Sequence, residues 1–169
     1  MDMTDVMKMM LNSGSVDQVA KMLGVNQNEA SSALEEVLPM LLKGMQGQAQ
    51  NKETQQGFLQ ALQDHSEKDT SDFTQYLKSV DTTDGAKIVK HLLGSKEEEV
   101  AAKATKKSGL DSKTIMKIMA IAAPLLMSQM GKSAKKTAKS SSGDMLSIVT
   151  GLMDGVDASD VINIARKLF

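Results

Sequence analysis

Apolar residues recur every three or four positions along most of the chain, the spacing of helices that each bury one stripe. Residues 2–11 place Val6, Met7, Met10 and Leu11 on one side, and Asn12-Ser13-Gly14-Ser15 ends that helix and offers Ser15 as the next N-cap. A second helix over about 16–23 stops at Gly24. A third starts near Asn26 and carries Ala30, Leu34, Val37, Leu38, Leu41, Leu42 and Met45 opposite Glu29, Glu35 and Glu36. The Gln-rich stretch 46–57 has no period and reads as a loop or a frayed helix end. Helical spacing resumes over 57–64 with Phe58, Leu59 and Leu62, and over 71–80 with Phe73, Tyr76, Leu77 and Val80, where Asp69 or Ser71 serves as N-cap. Asp84-Gly85 opens a helix with Ile88, Val89, Leu92 and Leu93 that ends at Gly94. Ser95 to Glu98 spells a capping box, and the helix beyond it to Ser108 pairs Glu99 with Lys103 at i, i+4.

The most apolar stretch is 109–130. Gly109 accepts the positive φ that closes the preceding helix, Asp111 or Ser112 caps the next, and the apolar residues from Ile115 to Met130 cover more than one face. Such a helix belongs inside the protein. Its uninterrupted apolar run, about 13 residues, falls short of the ~20 needed to cross a bilayer, so no membrane span is expected. Pro124 removes one i to i−4 bond and should kink or break it.

Shifted by 85 residues, 24–45 aligns with 109–130. Four of the 22 positions are identical, and they include the turn glycine (Gly24, Gly109) and the proline (Pro39, Pro124), whose backbone roles few other residues fill. The pattern predicts an all-α helical bundle of two repeated helix-turn-helix units with long proline-kinked core helices, plus a C-terminal helical tail. A third, weaker echo starts at Gly155. The predicted organisation is an all-helical domain over 1–131, a flexible Lys/Ser linker over 132–143, and a C-terminal segment over 144–169 with short helices around 145–153 and 159–168.

Composition sharpens this picture. The 169 residues suffice for one real core, and with no cysteine there is no disulfide, zinc finger or thiol chemistry. Three Phe, one Tyr and 14 Met favour helix-on-helix packing, since sheets are enriched in aromatic and β-branched residues. Met at these spacings reads first as core, with an open Met-lined groove as the alternative. Two acids among the first eight residues, where a secretory leader would carry bases, point to the cytoplasm. The net charge of −1 conceals −7 over residues 1–100 and +6 over 101–169. Nine lysines and a single acid lie between Val100 and Gly143. Lys103, Lys106, Lys107, Lys113, Lys132, Lys135, Lys136 and Lys139 are therefore candidates for binding an anion, against the commoner reading of a solvated, self-compensating face.

No catalytic, cofactor or metal signature stands out. Residues around Gly24-Val25 imitate a DNA-reading helix-turn-helix, but the helix that would enter the groove exposes Gln27, Asn28, Glu29, Ser31, Ser32, Glu35 and Glu36 and no base. Gly131-Lys132-Ser133 lacks the earlier glycine and the strand of a phosphate loop. His65 and His91 are the only histidines, and Asp64, Glu67, Asp69 and Asp72 near the first lack a calcium-loop spacing.

Asp84-Gly85, Ile88, His91-Leu92-Leu93-Gly94, Ser108-Gly109-Leu110-Asp111, Ala123-Pro124-Leu125-Leu126 and Gly131 resemble, in order and spacing, the bacterial domain-of-unknown-function family 937, with YidB-like proteins as relatives. Ala61-Leu62 with Asp64-His65 is similar to the family's upstream segment, and 143–155 to its glycine-punctuated tail. The lysine-rich stretch 131–143 departs from it. The resemblance implies an all-α cytoplasmic bacterial protein and carries over no catalytic residue or cofactor. The expected role is a non-enzymatic interaction or scaffold module whose partner is another protein or its own copy. The alternative is nucleic acid or another polyanion held by the basic 100–143 region.

Overall fold

A computed structural model describes residues 3–140, 143–154, 159, 163, 164, 166 and 167. It is all-α, with no strand among the described residues. Helix α1 (Met3–Leu11) leads into α2 (Ser13–Leu23) and the long α3 (Gln27–Gln50). Then come α4 (Gln55–Ser66), α5 (Phe73–Ser79), α6 (Thr82–Leu93), a 3-10 turn (Gly94–Lys96), α7 (Glu97–Ser108), α8 (Ser112–Ser140) and α9 (Met145–Asp154).

Helix α8 is the axis of the protein, packed by α1, α3, α4, α6, α7 and α9. Every residue from Ile118 to Gly131 is buried. By length and composition α8 is the one described helix that could cross a bilayer, yet 83% of its most apolar window is enclosed by the other helices, the position of a core helix. Met119, Met127 and Met130 are core, and Met116 is partly buried against it.

Helix starts follow hydrogen-bond chemistry. Asn12, rather than Ser15, caps α2, its Oδ1 accepting from the Ser15 N–H at 2.9 Å. Asn26 and Glu29 form a capping box on α3, and Asp111 accepts from Thr114 N–H at 2.7 Å at the start of α8. Gly24 and Gly109 both take the left-handed conformation before these caps. Asp72 caps α5 in place of the expected Asp69 or Ser71, and Asp81 caps α6, which starts at Thr82, two residues before Asp84; Asp69 instead accepts from Ser71 N–H within the preceding turn. The capping box expected at Ser95 is absent. A 3-10 turn occupies 94–96, and α7 begins at Glu97 with Lys96 at the N-cap position making no side-chain cap, its first-turn Glu97, Glu98 and Glu99 supplying negative charge at the helix start.

Two polar stretches carry more helix than their sequence promised, the first read as a loop or a frayed helix end and the second as a flexible linker. Helix α3 continues to Gln50 because Ala49 is buried and Gln46 and Gln48 are fastened to neighbours, Gln46 to Asp154 and Gln48 to the His91 carbonyl. The predicted linker over 132–143 is helical as far as Ser140, with Ala134 buried and Lys132 and Lys135 tied to the loop before α5. A lysine stem lies along apolar surface while its head reaches a partner, so a Lys-rich segment with little apolar content still docks. The second tail helix and the echo after Gly155 fall mainly outside the described residues.

Neither proline breaks its helix: α3 runs through Pro39 and α8 through Pro124. Near Pro124 the buried Tyr76 hydroxyl donates to the Ile121 carbonyl at 2.6 Å. Burial pushes the Tyr76 pKa up, opposed in part by the backbone N–H of Leu125 at the same oxygen. Tyr76 therefore stitches α5 onto the turn of α8 where the ladder is interrupted. Tyr76→Phe is expected to cost about 1–3 kcal/mol by leaving buried backbone groups without this partner, measured as a lower urea midpoint.

Candidate functional site

The eight candidate lysines do not form one patch. Lys103, Lys106 and Lys107 lie on α7 and Lys113 on the first turn of α8, whereas Lys132, Lys135, Lys136 and Lys139 lie on its last turns. At 1.5 Å per residue, Lys113 and Lys132 are separated by roughly 28 Å along the helix. Several lysines are also engaged. Lys103 pairs with Glu99 at 2.8 Å and Lys107 with Glu36 at 3.2 Å, and Lys132 donates to the Thr70 hydroxyl at 2.9 Å. Lys135 pairs with Glu67 and holds that carboxyl below its usual range. Lys106, Lys113 and Lys139 are exposed.

The second lysine group fastens the loop between α4 and α5 to the core helix. Thr70, nearly inaccessible, accepts from both Gln129 (2.7 Å) and Lys132, and Ser128 donates to the Lys68 carbonyl at 3.5 Å. Beside this loop His65 is buried at the end of α4. Its Nε2 lies 3.7 Å from Asp84, and its Nδ1 has no hydrogen-bond partner. Burial and then the Lys68 ammonium lower its pKa, against smaller opposing effects of Asp84 and Asp64. Asp64, His65, Glu67, Asp69 and Asp72 thus serve a turn and its braces, and no metal-competent cluster occurs among the described residues.

An apolar-walled opening lies elsewhere, where the end of α3, the start of α4 and the end of α6 meet above α8. Phe58, Ala61, Ile88 and Leu92 form its walls with Met127 below, and Gln48, Glu53, Thr54 and His91 surround its mouth in a cleft of about 380 Å³. Gln48 Nε2 donates to the His91 carbonyl at 2.9 Å, and Thr54 Oγ1 donates to the Gln48 carbonyl at 3.0 Å. The rim is therefore joined across three segments of chain. An apolar interior with a few placed polar groups is the usual form of a small-ligand pocket.

The family model described as bacterial protein of unknown function (DUF937) matches residues 5–133. The chain belongs to that family. No curated protein and no solved structure matches it. The DUF937 match runs from Asp5 within α1 through α7 and along α8 as far as Ser133, and so includes the cleft and the braced loop; the last turns of α8 and helix α9 lie beyond it.

The sequence singled out the lysines, which prove to be dispersed, and missed the cleft. Its lining comes from stretches up to 79 residues apart, Gln48 to Met127, and Glu53 and Thr54 sit in the aperiodic stretch that promised nothing. Leu92 was read as one position of an apolar stripe, and His91 as one of two histidines without a metal or catalytic spacing.

His65 gives this DUF937 protein a testable pH response. Its pKa is lowered in the folded state, so its contribution is fully present above the unfolded value near 6.5 and is lost as pH falls through the folded one. Stability is expected to start declining just below pH 6.5, well above the carboxylate range. In His65→Leu that early decline should disappear, as followed by urea midpoints across pH 5 to 7.5.

Proposed function

We propose that this DUF937 protein is a non-enzymatic helical module of the bacterial cytoplasm that holds or joins other proteins, its own copies among them. The supporting observation is how its chemically versatile side chains are used. Asn12, Asn26, Asp72, Asp81 and Asp111 cap helices. Tyr76 spans the interrupted turn of α8, and Thr70, Gln129, Lys132 and the Glu67–Lys135 pair brace a loop. Groups held in one geometry by several bonds favour rigid presentation of a surface over turnover.

On the same reading, α2–α3 and α7–α8 are two copies of one unit. Each has a left-handed glycine, an Asn or Asp cap two residues later, and a proline 13 residues beyond that cap. We infer a kink at each proline, since each lacks the N–H its helix needs.

Light scattering of the purified chain combined with mixing against bacterial extract tests the module. Stable self-association or stoichiometric capture of a partner is expected, and a monomer that captures nothing overturns the reading. Polyanion binding has less support, because the lysines are split between two ends of α8 and partly paired. The chain is expected to leave heparin below about 0.2 M salt, whereas retention that falls steeply only at higher salt would favour a nucleic-acid role.

A further inference from the structure

We propose that the cleft above Met127 is a binding site for a small cationic amphiphile: a single aliphatic chain ending in a protonated amine. The inference stands apart from the scaffold reading and rests on three observations. The interior is apolar throughout, from Phe58 and Ala61 across to Ile88 and Leu92, and its 380 Å³ suits a small molecule; the body of a helix, about 10 Å across, is far larger. The mouth is preformed, because the Gln48 and Thr54 hydrogen bonds join α3, the α3–α4 connection and α6 without any ligand, and a preformed wall costs little further ordering on binding. Glu53 is the one acidic residue of the lining, and its carboxylate meets no hydrogen-bond or ion-pair partner among the described residues. An acid at the edge of an apolar cleft attracts a cationic head and repels an anionic one, so the chain end, not the chain, determines selectivity.

The full chain, titrated separately with n-octylamine and n-octanoate and followed by NMR chemical shifts, tests this. Saturable octylamine binding at least about tenfold tighter than octanoate is expected, with shifts at Ile88, Leu92 and Met127. Glu53→Gln should reduce that preference to about threefold or less while the aliphatic chain still binds. Gly57→Leu adds bulk at a helical lining position where a Cβ meets nothing within 4 Å, so the fold should be retained while the opening is narrowed. Octylamine affinity should then fall about tenfold or more with no loss of thermal midpoint. Binding that does not saturate, octanoate binding as tightly as octylamine, or affinity untouched by Gly57→Leu would each overturn the proposal.

Discussion

Gly85→Ala is expected to destabilise the protein by about 3–5 kcal/mol, a thermal midpoint lower by roughly 10 °C. A Cβ built on Gly85 would fall closer than 3.0 Å to the carbonyl oxygen of Ala120, with that residue's C and Cα close behind, so the obstruction is backbone and cannot rotate away. The carbonyl is also special. Pro124 lies four residues beyond Ala120 and has no N–H to give it, and that carbonyl faces the bare Cα of Gly85 on α6. A Cα–H facing a carbonyl is a weak favourable contact, available here because the glycine has no side chain. Alanine would gain up to about 1 kcal/mol of helix propensity, but the two axes would have to separate along a buried interface. Gly57→Ala provides the control, also helical but open around its Cβ, and should be neutral or more stable by about 0.5–1 kcal/mol. Urea unfolding of the two variants side by side checks the prediction, and equal midpoints would refute the close approach.

That interface shows what was legible in the sequence. Pro124 and Gly109 announce themselves, because each has a backbone role that holds whatever the fold. Gly85 was read as part of a helix start and of a family-like motif and not as a close approach, since that role depends on a carbonyl 35 residues away. The apolar stripes of α3, α6 and α8 were readable for the same local reason: a 3.6-residue period is written within each segment. Ends were harder. Ser95 and Ser15 carry good capping chemistry, yet Asn12 starts α2 one turn earlier and a 3-10 turn uses the residues around Ser95. Local propensity competes there with the length of chain available between packed helices.

The two polar stretches that extend α3 and α8 share a cause. Residues 46–50 and 132–140 lack an apolar stripe, and patterning alone leaves them outside the fold. They remain helical because long polar side chains reach specific partners elsewhere: Gln48 the α6 backbone, Gln46 the end of α9, Lys132 and Lys135 the loop before α5. Such partners are set by tertiary geometry, and no window of sequence contains them. The candidate site inherits this difficulty. A lysine-rich stretch is conspicuous in one dimension, whereas an apolar cleft assembled from α3, α4, α6 and α8 exists only in three.

The helical course of α8 past residue 131 leads to the second large effect. Gly131→Ala would bring a Cβ closer than 3.0 Å to the carbonyl oxygen of Leu62 and 2.9 Å from the Ser66 Cβ, at the crossing of α8 over α4. The expected loss is again about 3–5 kcal/mol in global unfolding, because the obstruction is backbone on a buried face. A glycine heading a mobile linker would behave in the opposite way. In that case alanine would leave stability unchanged or raise it slightly by restricting the unfolded chain. The substitution therefore distinguishes the two conformations of 131–140 by the sign of the change. A local signature should accompany it: displacing α8 from α4 pulls Gln129 and Lys132 away from Thr70, so the loop at 67–72 should lose amide-exchange protection before the rest of the core. Protection of that loop unchanged alongside an unaltered midpoint would mean that α8 does not lie against α4 at Gly131.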